Sequence, residues 1–233
     1  MLITRPIRDV RPATPRARTV LIDLAGTPFP YLPGQAVLIA SHDAEHRRPY
    51  SIAAAPDDAE REDCLELLVG VDAEGHAGPD LTLAPGGLVD VEGPLGRFTF
   101  PMEPQERRFL FIAGGTGISP LRAMLRHALR VPHEAIGLLF SARTPAEFAY
   151  EQELRALAER GEIELQLRVT REVGQEDWTG TRGRIGRDDL APLVHGRATL
   201  CFVCGPPALV QEIPQLLEEL GVTRERIKKE EWL

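Results

Sequence analysis

The segment AGGTGISPLRAM, residues 113–124, has the composition of a loop that binds a phosphate group. Gly114, Gly115 and Gly117 let a phosphate approach the backbone closely. A helix that begins here also offers free N–H groups and the positive end of its dipole. Pro120 suits the first turn of such a helix, because its missing N–H would have no partner there. The alternative is a glycine-rich turn that binds nothing, since proline occupies the place of the last glycine in the dinucleotide fingerprint G-x-G-x-x-G.

The segment RRPYSIA, residues 47–53, combines three side-chain types that suit a planar ligand carrying phosphates. An arginine pairs with a phosphate, an aromatic ring covers a planar group, and a serine hydroxyl forms a hydrogen bond with a ring nitrogen. An edge strand with its arginines in solvent explains the same residues. Taken alone, this segment leaves both interpretations open.

The segment CFVCGPPALV, residues 201–210, indicates a buried strand that ends at CGPP and is followed by a helix. In open parallel sheets, ligands bind beyond the carboxyl ends of the strands, so we expect this turn beside the glycine-rich loop. Cys201 and Cys204 lie three residues apart and would face opposite sides of a strand, which argues against a redox pair. Cys204, at the strand end, is the functional candidate.

The order of the predicted elements divides the chain into two parts. Short β-rich runs separated by Gly, Pro and Asp extend from Val20 to about Phe100 and predict a small antiparallel barrel or sandwich. Strands then alternate with helices, which predicts a parallel sheet covered by helices, since parallel strands need crossover connections. Residues 101–105 suit a linker, so we expect two domains, 1–102 and 106–233.

Composition and charge restrict the class of function. The chain has 233 residues, 43% hydrophobic and 27% charged, which is typical of a globular protein with a sizeable core. A formal net charge of -8 argues against a nucleic-acid partner, because phosphate backbones bind to basic surfaces. No apolar run approaches the roughly 18 residues that span a bilayer. We therefore expect no membrane span and a cytoplasmic location.

The metal-binding residue types are few and scattered. Three cysteines argue against a disulfide framework and for a reducing compartment. They are also too few for an iron–sulfur cluster, which needs four closely spaced thiolates or a cysteine and histidine mixture. The six histidines show no ligand spacing such as H-E-x-x-H. We expect no metal site, and any iron–sulfur cluster in the reaction belongs to another protein.

Taken together and in this order, the segments resemble those of the ferredoxin–NADP reductase family of flavoproteins over nearly the whole chain. The motifs that carry the resemblance are FPYLPGQAVLI, RPYSIA, GPLGRF, AGGTGISPL, SART, CGPP and IKKEEW. The resemblance implies an N-terminal antiparallel β-barrel that binds FAD and a C-terminal α/β domain whose five-stranded parallel sheet binds NAD(P). It also implies hydride transfer from nicotinamide C4 to flavin N5, after which the electrons pass to a separate acceptor.

The resemblance implies roles for the strand that carries RPYS. Arg48 would contact the FAD pyrophosphate, Tyr50 would stack on the flavin, and Ser51 would form a hydrogen bond near flavin N5. Pro49 belongs to the same cofactor-binding motif. The turn PGQ, which precedes this strand in the chain, would support it.

One segment departs from the family pattern. The family usually has a Ser or Thr at the N-terminus of a short helix where this chain has EGHAGPDLTLAPGG, residues 74–87. Gly78 stands near the hydroxyl position, and the segment is about one residue shorter than the family's. The backbone N–H groups of a turn are the alternative phosphate ligands. FAD is the expected cofactor, and FMN remains the alternative.

In the second domain, the resemblance assigns the NAD(P) pyrophosphate to the glycine-rich loop. The residues of that loop that match the motif are Gly114, Gly115, Thr116, Gly117 and Pro120. Cys204, Gly205 and Pro206 would border the nicotinamide. Glu230 and Trp232 match the family's C-terminal acid and aromatic residue, which lie close to the flavin. The predicted catalytic residues are accordingly Ser51, Cys204 and Glu230.

The segment SARTPAEF bears on the choice between NADPH and NADH. Ser141 and Arg143 follow the second strand of the nucleotide domain, where the 2' substituent of the adenosine ribose is expected. Arg143 suits a 2'-phosphate, and no acidic residue follows at once to favour a free hydroxyl, so the sequence favours NADPH. The alternative is that Arg143 covers the adenine face.

Three functions remain in competition. The first is a reductase that feeds a separate ferredoxin, haem protein, oxygenase component or small molecule. Five arginines between Arg5 and Arg18 would suit an acidic ferredoxin, although a solvated strand edge explains them equally well. The second is an electron-transfer subunit of a larger complex, but the family's known example has a cysteine cluster that this sequence lacks. The third is a non-catalytic nucleotide-binding module, which only the altered segment around Gly78 supports.

Overall fold

A computed structural model describes residues 1–171 and 178–231 of the protein. Trp232, the predicted aromatic residue near the flavin, lies outside the described residues. The chain divides into two compact units. Unit 1 comprises Met1–Met102 with Arg122–His127, and unit 2 comprises Glu103–Leu121 with Ala128–Leu233. The assignment of one cofactor to each predicted domain stays a prediction.

Unit 1 contains a six-stranded antiparallel sheet. Its strands are β1 (Leu2–Thr14), β2 (Ala17–Asp23), β3 (Ala36–Ser41), β4 (Arg48–Ser51), β5 (Cys64–Gly70) and β6 (Leu88–Leu95). They are ordered β4-β3-β6-β1-β2-β5, and an antiparallel bridge between Ile52 and Leu67 joins the two outer strands. This bridge closes the sheet, so the predicted antiparallel barrel is confirmed.

The inward face of the barrel is apolar because alternate residues along each strand point to the same side. Val37 and Ile39 of β3 and Val89 and Val91 of β6 are among the buried residues that fill it. Burial of such β-branched side chains stabilises the pleated sheet and excludes water from its interior. The outward residues remain available for polar contacts.

Two elements of unit 1 lie outside those that the sequence pattern predicts. In β1, arginines and prolines interrupt the apolar alternation, yet Leu2–Pro6 pair with β6 and Ile7–Thr14 pair with β2. The second element is a short helix, α1 (Pro56–Glu62), which has proline in its first turn and acidic residues beside it. Both features suit a helix N-terminus.

Unit 2 contains a six-stranded sheet whose strand pairs are all parallel. Its strands are β7 (Arg108–Gly114), β8 (Ala135–Ala142), β9 (Glu164–Val169), β10 (Thr181–Arg182), β11 (Leu200–Gly205) and β12 (Ile227–Glu231). The helices that alternate with them are α2 (Ile118–Ala128), α3 (Glu151–Glu159), α4 (Arg187–Leu190) and α5 (Pro207–Glu219). The predicted α/β alternation is confirmed. Within the described residues the sheet has six strands rather than the expected five, because the two-residue β10 pairs beside β9.

The strand order of unit 2, β10-β9-β8-β7-β11-β12, reverses direction between β7 and β11. The chain proceeds outward from β7 on one side and, after β10, resumes on the other side at β11. At such a reversal the connections leave the sheet in opposite directions and open a crevice at the carboxyl ends of the strands. The glycine-rich loop follows β7, and the CGPP turn ends β11.

The described helices set a limit on membrane topology. No helix within residues 1–171 and 178–231 is both long enough and apolar enough to cross a membrane.

Candidate functional site

Strand β4 presents the residues of the RPYS motif on the barrel of unit 1. Arg48 and Pro49 are exposed, Tyr50 is half-buried, and Ser51 is 3% exposed. Tyr50 pairs with Val37 of β3 and packs against the apolar core of the barrel. The ring of Tyr50 is thus supported on one side by the barrel, as a stacking residue must be.

The turn before β3 supports the end of β4 through backbone bonds. The N–H of Ile52, which follows Ser51, donates to the carbonyl of Gln35 at 2.9 Å. Gln35 is itself held, because its side-chain oxygen accepts a hydrogen bond from the Leu32 N–H at 2.8 Å. The phenol of Tyr31 donates to the carbonyl of Ala54 at 2.8 Å. These bonds fix the backbone that follows Ser51.

Arg48 reaches the segment that departs from the family pattern. The guanidinium of Arg48 lies beside Gly78, where an added Cβ would stand 2.9 Å from Arg48 Nη1. Gly78 has φ +113°, a left-handed conformation that favours glycine. Among the described residues Arg48 forms no ion pair with an acidic side chain, which leaves its charge available to a phosphate. The predicted pyrophosphate ligand and the altered segment therefore meet at one place on unit 1.

The connection between β5 and β6 contains turns but no helix through residues 71–87. Its middle is anchored to the end of β3: the N–H of Thr82 donates to Ser41 Oγ at 2.9 Å, and the N–H of Ser41 donates to the carbonyl of Asp80 at 2.8 Å. Without a helix N-terminus here, Arg48 is the group that would supply positive charge to a diphosphate. The exposed guanidinium beside a backbone that lacks a side chain at Gly78 fits a diphosphate group such as that of FAD.

The glycine-rich loop of unit 2 forms a single 3-10 turn, Gly115–Gly117, that leads directly into α2. Gly115 and Thr116 are exposed, whereas Gly117 and Pro120 are buried. An added Cβ at Gly117 would lie 2.4 Å from the carbonyl oxygen of Cys204. Glycine at this position lets the start of α2 pack against the end of β11, which leaves the exposed backbone of the turn facing outward as an anion site.

The CGPP turn lies against the glycine-rich loop, as expected from the sequence. An added Cβ at Gly114 would stand 2.8 Å from Cδ of Pro206, and one at Gly205 would stand 3.0 Å from the backbone of Gly114. Cys204 is fully buried and pairs in register with Ala113 of β7. Two of the predicted cofactor-binding segments thus share one edge of the sheet.

Cys204 and Glu230, both predicted to be catalytic, occupy directly paired positions on the adjacent parallel strands β11 and β12. Glu230 is half-buried. Cys201 lies instead in the apolar core with Leu110 and Val203, where burial raises the pKa of its thiol to about 12. A thiol so protonated is a poor nucleophile, which agrees with the prediction that the two cysteines do not act as a redox pair.

The strand ends after β8 and β9 carry two exposed arginines. Arg143 follows β8, and Arg171 comes two residues after β9. Their backbones are joined by a hydrogen bond of 3.1 Å from the Arg171 N–H to the Arg143 carbonyl. Ser141 is 6% exposed, and its hydroxyl donates to the carbonyl of Ala113 at 3.2 Å. Ser141 therefore retains only acceptor capacity toward a ribose, and its predicted contact stays a prediction.

Sequence reasoning missed Arg171, although a signal was present. The segment LQLRVTR places an arginine immediately after a predicted strand, as SART does for Arg143.

Burial raises the pKa of Tyr50, against an opposing effect of the Arg48 charge. Tyr50 is accordingly a neutral phenol at physiological pH.

No cluster of three or more potential metal ligands occurs among the residues that the structure describes.

Known proteins are similar to the chain both in its second half and over its full extent. A family described as the oxidoreductase NAD-binding domain matches residues 111–215. Ferredoxin–NADP reductase B of Sorangium cellulosum (strain So ce56) is 35% identical over 237 residues, an alignment covering 96% of this chain and 94% of that protein.

Solved structures share the fold. A cytochrome P450 reductase from Amycolatopsis has a TM-score of 0.84 and 28% identity, with 99% of this chain and 69% of that chain covered. A ferredoxin NADP⁺ reductase from Neisseria gonorrhoeae, solved with bound FAD and NADP, has a TM-score of 0.78 and 19% identity, with 99% and 98% covered. The fold class expected from the sequence is therefore confirmed by structure as well.

Proposed function

Because the chain belongs to the ferredoxin–NADP reductase family, we propose that it reduces a ferredoxin and that NADPH is its preferred hydride donor. The chain is an NAD(P)H-dependent flavoprotein reductase that binds FAD and NAD(P) and passes electrons to a separate acceptor. The observation that carries the proposal is the meeting of the glycine-rich loop with the CGPP turn at the carboxyl ends of β7 and β11. This is where open parallel sheets bind nucleotides.

Three residues of unit 1 would hold and orient FAD. The guanidinium of Arg48 would neutralise the pyrophosphate beside Gly78, and the supported ring of Tyr50 would cover the flavin. The hydroxyl of Ser51, buried at the end of β4, would form a hydrogen bond to the flavin ring. When bound, FAD supplies the redox chemistry, since a flavin accepts a hydride and releases electrons one at a time.

The residues of unit 2 would bind and align the nucleotide. The exposed backbone N–H groups of Gly115 and Thr116 would hold its pyrophosphate, while Gly117 fixes the turn against β11. Cys204, at the end of β11, would border the nicotinamide, and Glu230, its register partner on β12, would lie close to the flavin. Hydride transfer needs no general base, so the contribution of these groups is alignment and exclusion of water.

Two exposed arginines support NADPH over NADH. Arg143 and Arg171 are joined through their backbones at the ends of β8 and β9. Neither forms an ion pair with a described acidic residue, so both guanidinium groups are available to a 2'-phosphate. A phosphate that accepts bonds from two guanidinium groups binds more tightly than one that meets a single charge.

The similarity to the ferredoxin–NADP reductase of Sorangium favours a ferredoxin as the acceptor. The five N-terminal arginines give no further support for an acidic ferredoxin partner. Arg8 pairs with Asp23 at 2.9 Å and Arg11 pairs with Asp9 at 2.5 Å. These pairs partly neutralise the arginines and favour the solvated-strand alternative. The three buried free cysteines support a cytoplasmic location, which remains part of the proposal.

The experiment that tests this function is an anaerobic assay of the FAD-loaded protein with a [2Fe–2S] ferredoxin as sole acceptor. Loss of the ferredoxin's visible absorbance is followed after NADPH is added, and then after NADH in a parallel sample. We expect catalytic reduction of the ferredoxin, faster with NADPH. A flavin that NADPH reduces but that leaves ferredoxin oxidised would overturn the proposed acceptor.

A further inference from the structure

We propose that Asp90 is a positioning residue for flavin binding. Its carboxylate contacts side chains at both ends of the loop between β3 and β4, and these contacts orient Arg48 toward Gly78. The inference rests on the proposed function, since it takes Arg48 as the ligand of the FAD pyrophosphate. It assigns to Asp90 the selection of Arg48, rather than Arg47, as the arginine that reaches the phosphate.

Asp90 lies on β6 and is 8% exposed, and its carboxylate has three polar side-chain partners. The hydroxyl of Thr4 donates to Oδ1 at 2.7 Å, and Nδ1 of His42 lies 2.9 Å from the same oxygen. Nη2 of Arg47 lies 3.3 Å from Oδ2. Hydrogen bonds from Thr4 and His42 hold the pKa of Asp90 below its usual range, so the group is a carboxylate at neutral pH.

The two partners from the loop come from its opposite ends. His42 directly follows β3, and Arg47 directly precedes β4. The backbone N–H of His42 also donates to the carbonyl of Leu88 at 2.9 Å, which ties the first end of the loop to the start of β6. One carboxylate thus holds both ends of residues 42–47 on the outer side of the barrel.

Arg48 begins β4 and pairs in register with Ile39, whose side chain faces inward, whereas Arg47, directly before the strand, contacts Asp90 on the outward face of the sheet. Arg47 lies with Asp90 and, at 3.6 Å, with Glu92. Arg48 lies beside Gly78. A slip of β4 by one residue would exchange the two arginines and turn every other side chain of the strand over.

The charge of Asp90 opposes such a slip because it attracts Arg47 to the outer face. The surrounding charged groups are Glu92 from β6, Asp43 and His42 from the loop, and Arg47 itself. Asp90 contacts both loop ends, whereas Glu92, whose side chain is 44% exposed, forms an ion pair with Arg47 at one end. Asp90 is therefore the group that couples the loop to the direction of Arg48.

The test is a double-mutant cycle on FAD affinity. The dissociation constant of FAD is measured by flavin fluorescence on the apoprotein for wild type, Asp90→Asn, Arg48→Ala and the double variant. We expect Asp90→Asn to weaken binding by about tenfold in the wild-type background and to have almost no further effect in the Arg48→Ala background. Glu45→Gln removes an exposed charge from the same loop and is expected to leave the affinity unchanged.

A purely structural role for Asp90 predicts the same loss of affinity in both backgrounds, and that result would overturn the proposal. An unchanged affinity in Asp90→Asn, together with a weakened one in Arg48→Ala, would overturn it while leaving the proposed function intact. An unchanged affinity in Arg48→Ala would instead remove the role of Arg48 in FAD binding, and this inference with it. Arg47→Gln provides a second variant that releases one loop end without altering Asp90, and the same non-additivity with Arg48→Ala is expected.

Discussion

The guanidinium of Arg48 occupies the space above Gly78 that a side chain at position 78 would fill, with 2.9 Å between Nη1 and the position of an added Cβ. The two residues are brought together by the barrel, since one begins β4 and the other lies in the turn between β5 and β6. The family usually has a hydroxyl on a helix near position 78, whereas this chain has a glycine there, with the guanidinium of Arg48 beside its backbone. The proposed flavin phosphate site therefore relies on the charge of Arg48.

Replacement of Gly78 by serine is expected to weaken FAD binding, although serine matches the usual family residue. The left-handed φ of +113° strains any side chain, and Cβ would displace the Arg48 guanidinium. We expect a loss of about 1 kcal/mol in the free energy of unfolding from the backbone alone. Thermal denaturation and FAD titration measure the two effects separately.

Gly86→Ala is the matched control for that change. Gly86 also has a positive φ, +83°, but an added Cβ there meets no atom within 4 Å. Its backbone strain should therefore lower the thermal midpoint without altering the FAD dissociation constant. Equal FAD affinities in the Gly78 and Gly86 variants would show that contact with Arg48 has no part in cofactor binding.

Ser51→Ala is expected to slow reduction of the flavin by NADPH while FAD stays bound. Loss of one hydrogen bond from a buried hydroxyl corresponds to about a tenfold slower hydride transfer. Anaerobic stopped-flow absorbance of the flavin measures the rate. Arg48→Ala provides the contrast, because it should weaken FAD binding itself. A wild-type rate of flavin reduction in Ser51→Ala would contradict the role given to this hydroxyl.

Arg143→Ala is expected to raise KM for NADPH and to leave KM for NADH unchanged. Removal of one guanidinium from a 2'-phosphate costs roughly 10- to 100-fold in affinity. Arg171→Ala should act in the same direction. Arg155→Ala is the control, since Arg155 pairs with Glu151 along α3 at 2.8 Å. Equal increases in KM for both nucleotides would indicate contact with the adenine ring instead.

Gly117→Ala is expected to destabilise unit 2 and to reduce affinity for NADPH. The new Cβ would overlap the Cys204 carbonyl oxygen at 2.4 Å and force the loop away from β11. Overpacking of this kind costs about 1–3 kcal/mol. Gly115→Ala serves for comparison, because its φ of +56° strains a side chain but an added Cβ there meets no atom within 4 Å, so only the backbone strain acts. A thermal midpoint lowered equally by the two substitutions would contradict the packing role of Gly117.

Local patterns predicted most of the sheets because each strand signal lies within a few residues. The runs RFLFIAG and AIGLLFSA coincide with β7 and β8 as observed. Strand β1 was not predicted, because its arginines and prolines interrupt the alternation of apolar and polar residues. The strand is stabilised instead by pairing with β2 and with β6. Long-range pairing of this kind leaves no local signal.

The segments that form the site were predictable from the sequence one by one, but their positions relative to one another in the fold were not. The motifs around Ser51, Gly114 and Cys204 are contiguous, and the general rule for parallel sheets brings the last two together. The approach of Arg48 to Gly78 depends instead on residues 30 positions apart in the sequence. Nor does the sequence around Asp90, an acid in an apolar strand, indicate that it joins His42 to Arg47.

Flavin reduction by NADPH is tested by an anaerobic absorbance spectrum of the FAD-loaded protein before and after one equivalent of NADPH. We expect a bound-flavin spectrum whose visible band is bleached by NADPH and more slowly by NADH. A protein that binds no flavin after incubation with FAD, or a bound flavin that both nucleotides leave oxidised, would show that the chain is not an NAD(P)H-dependent flavin reductase.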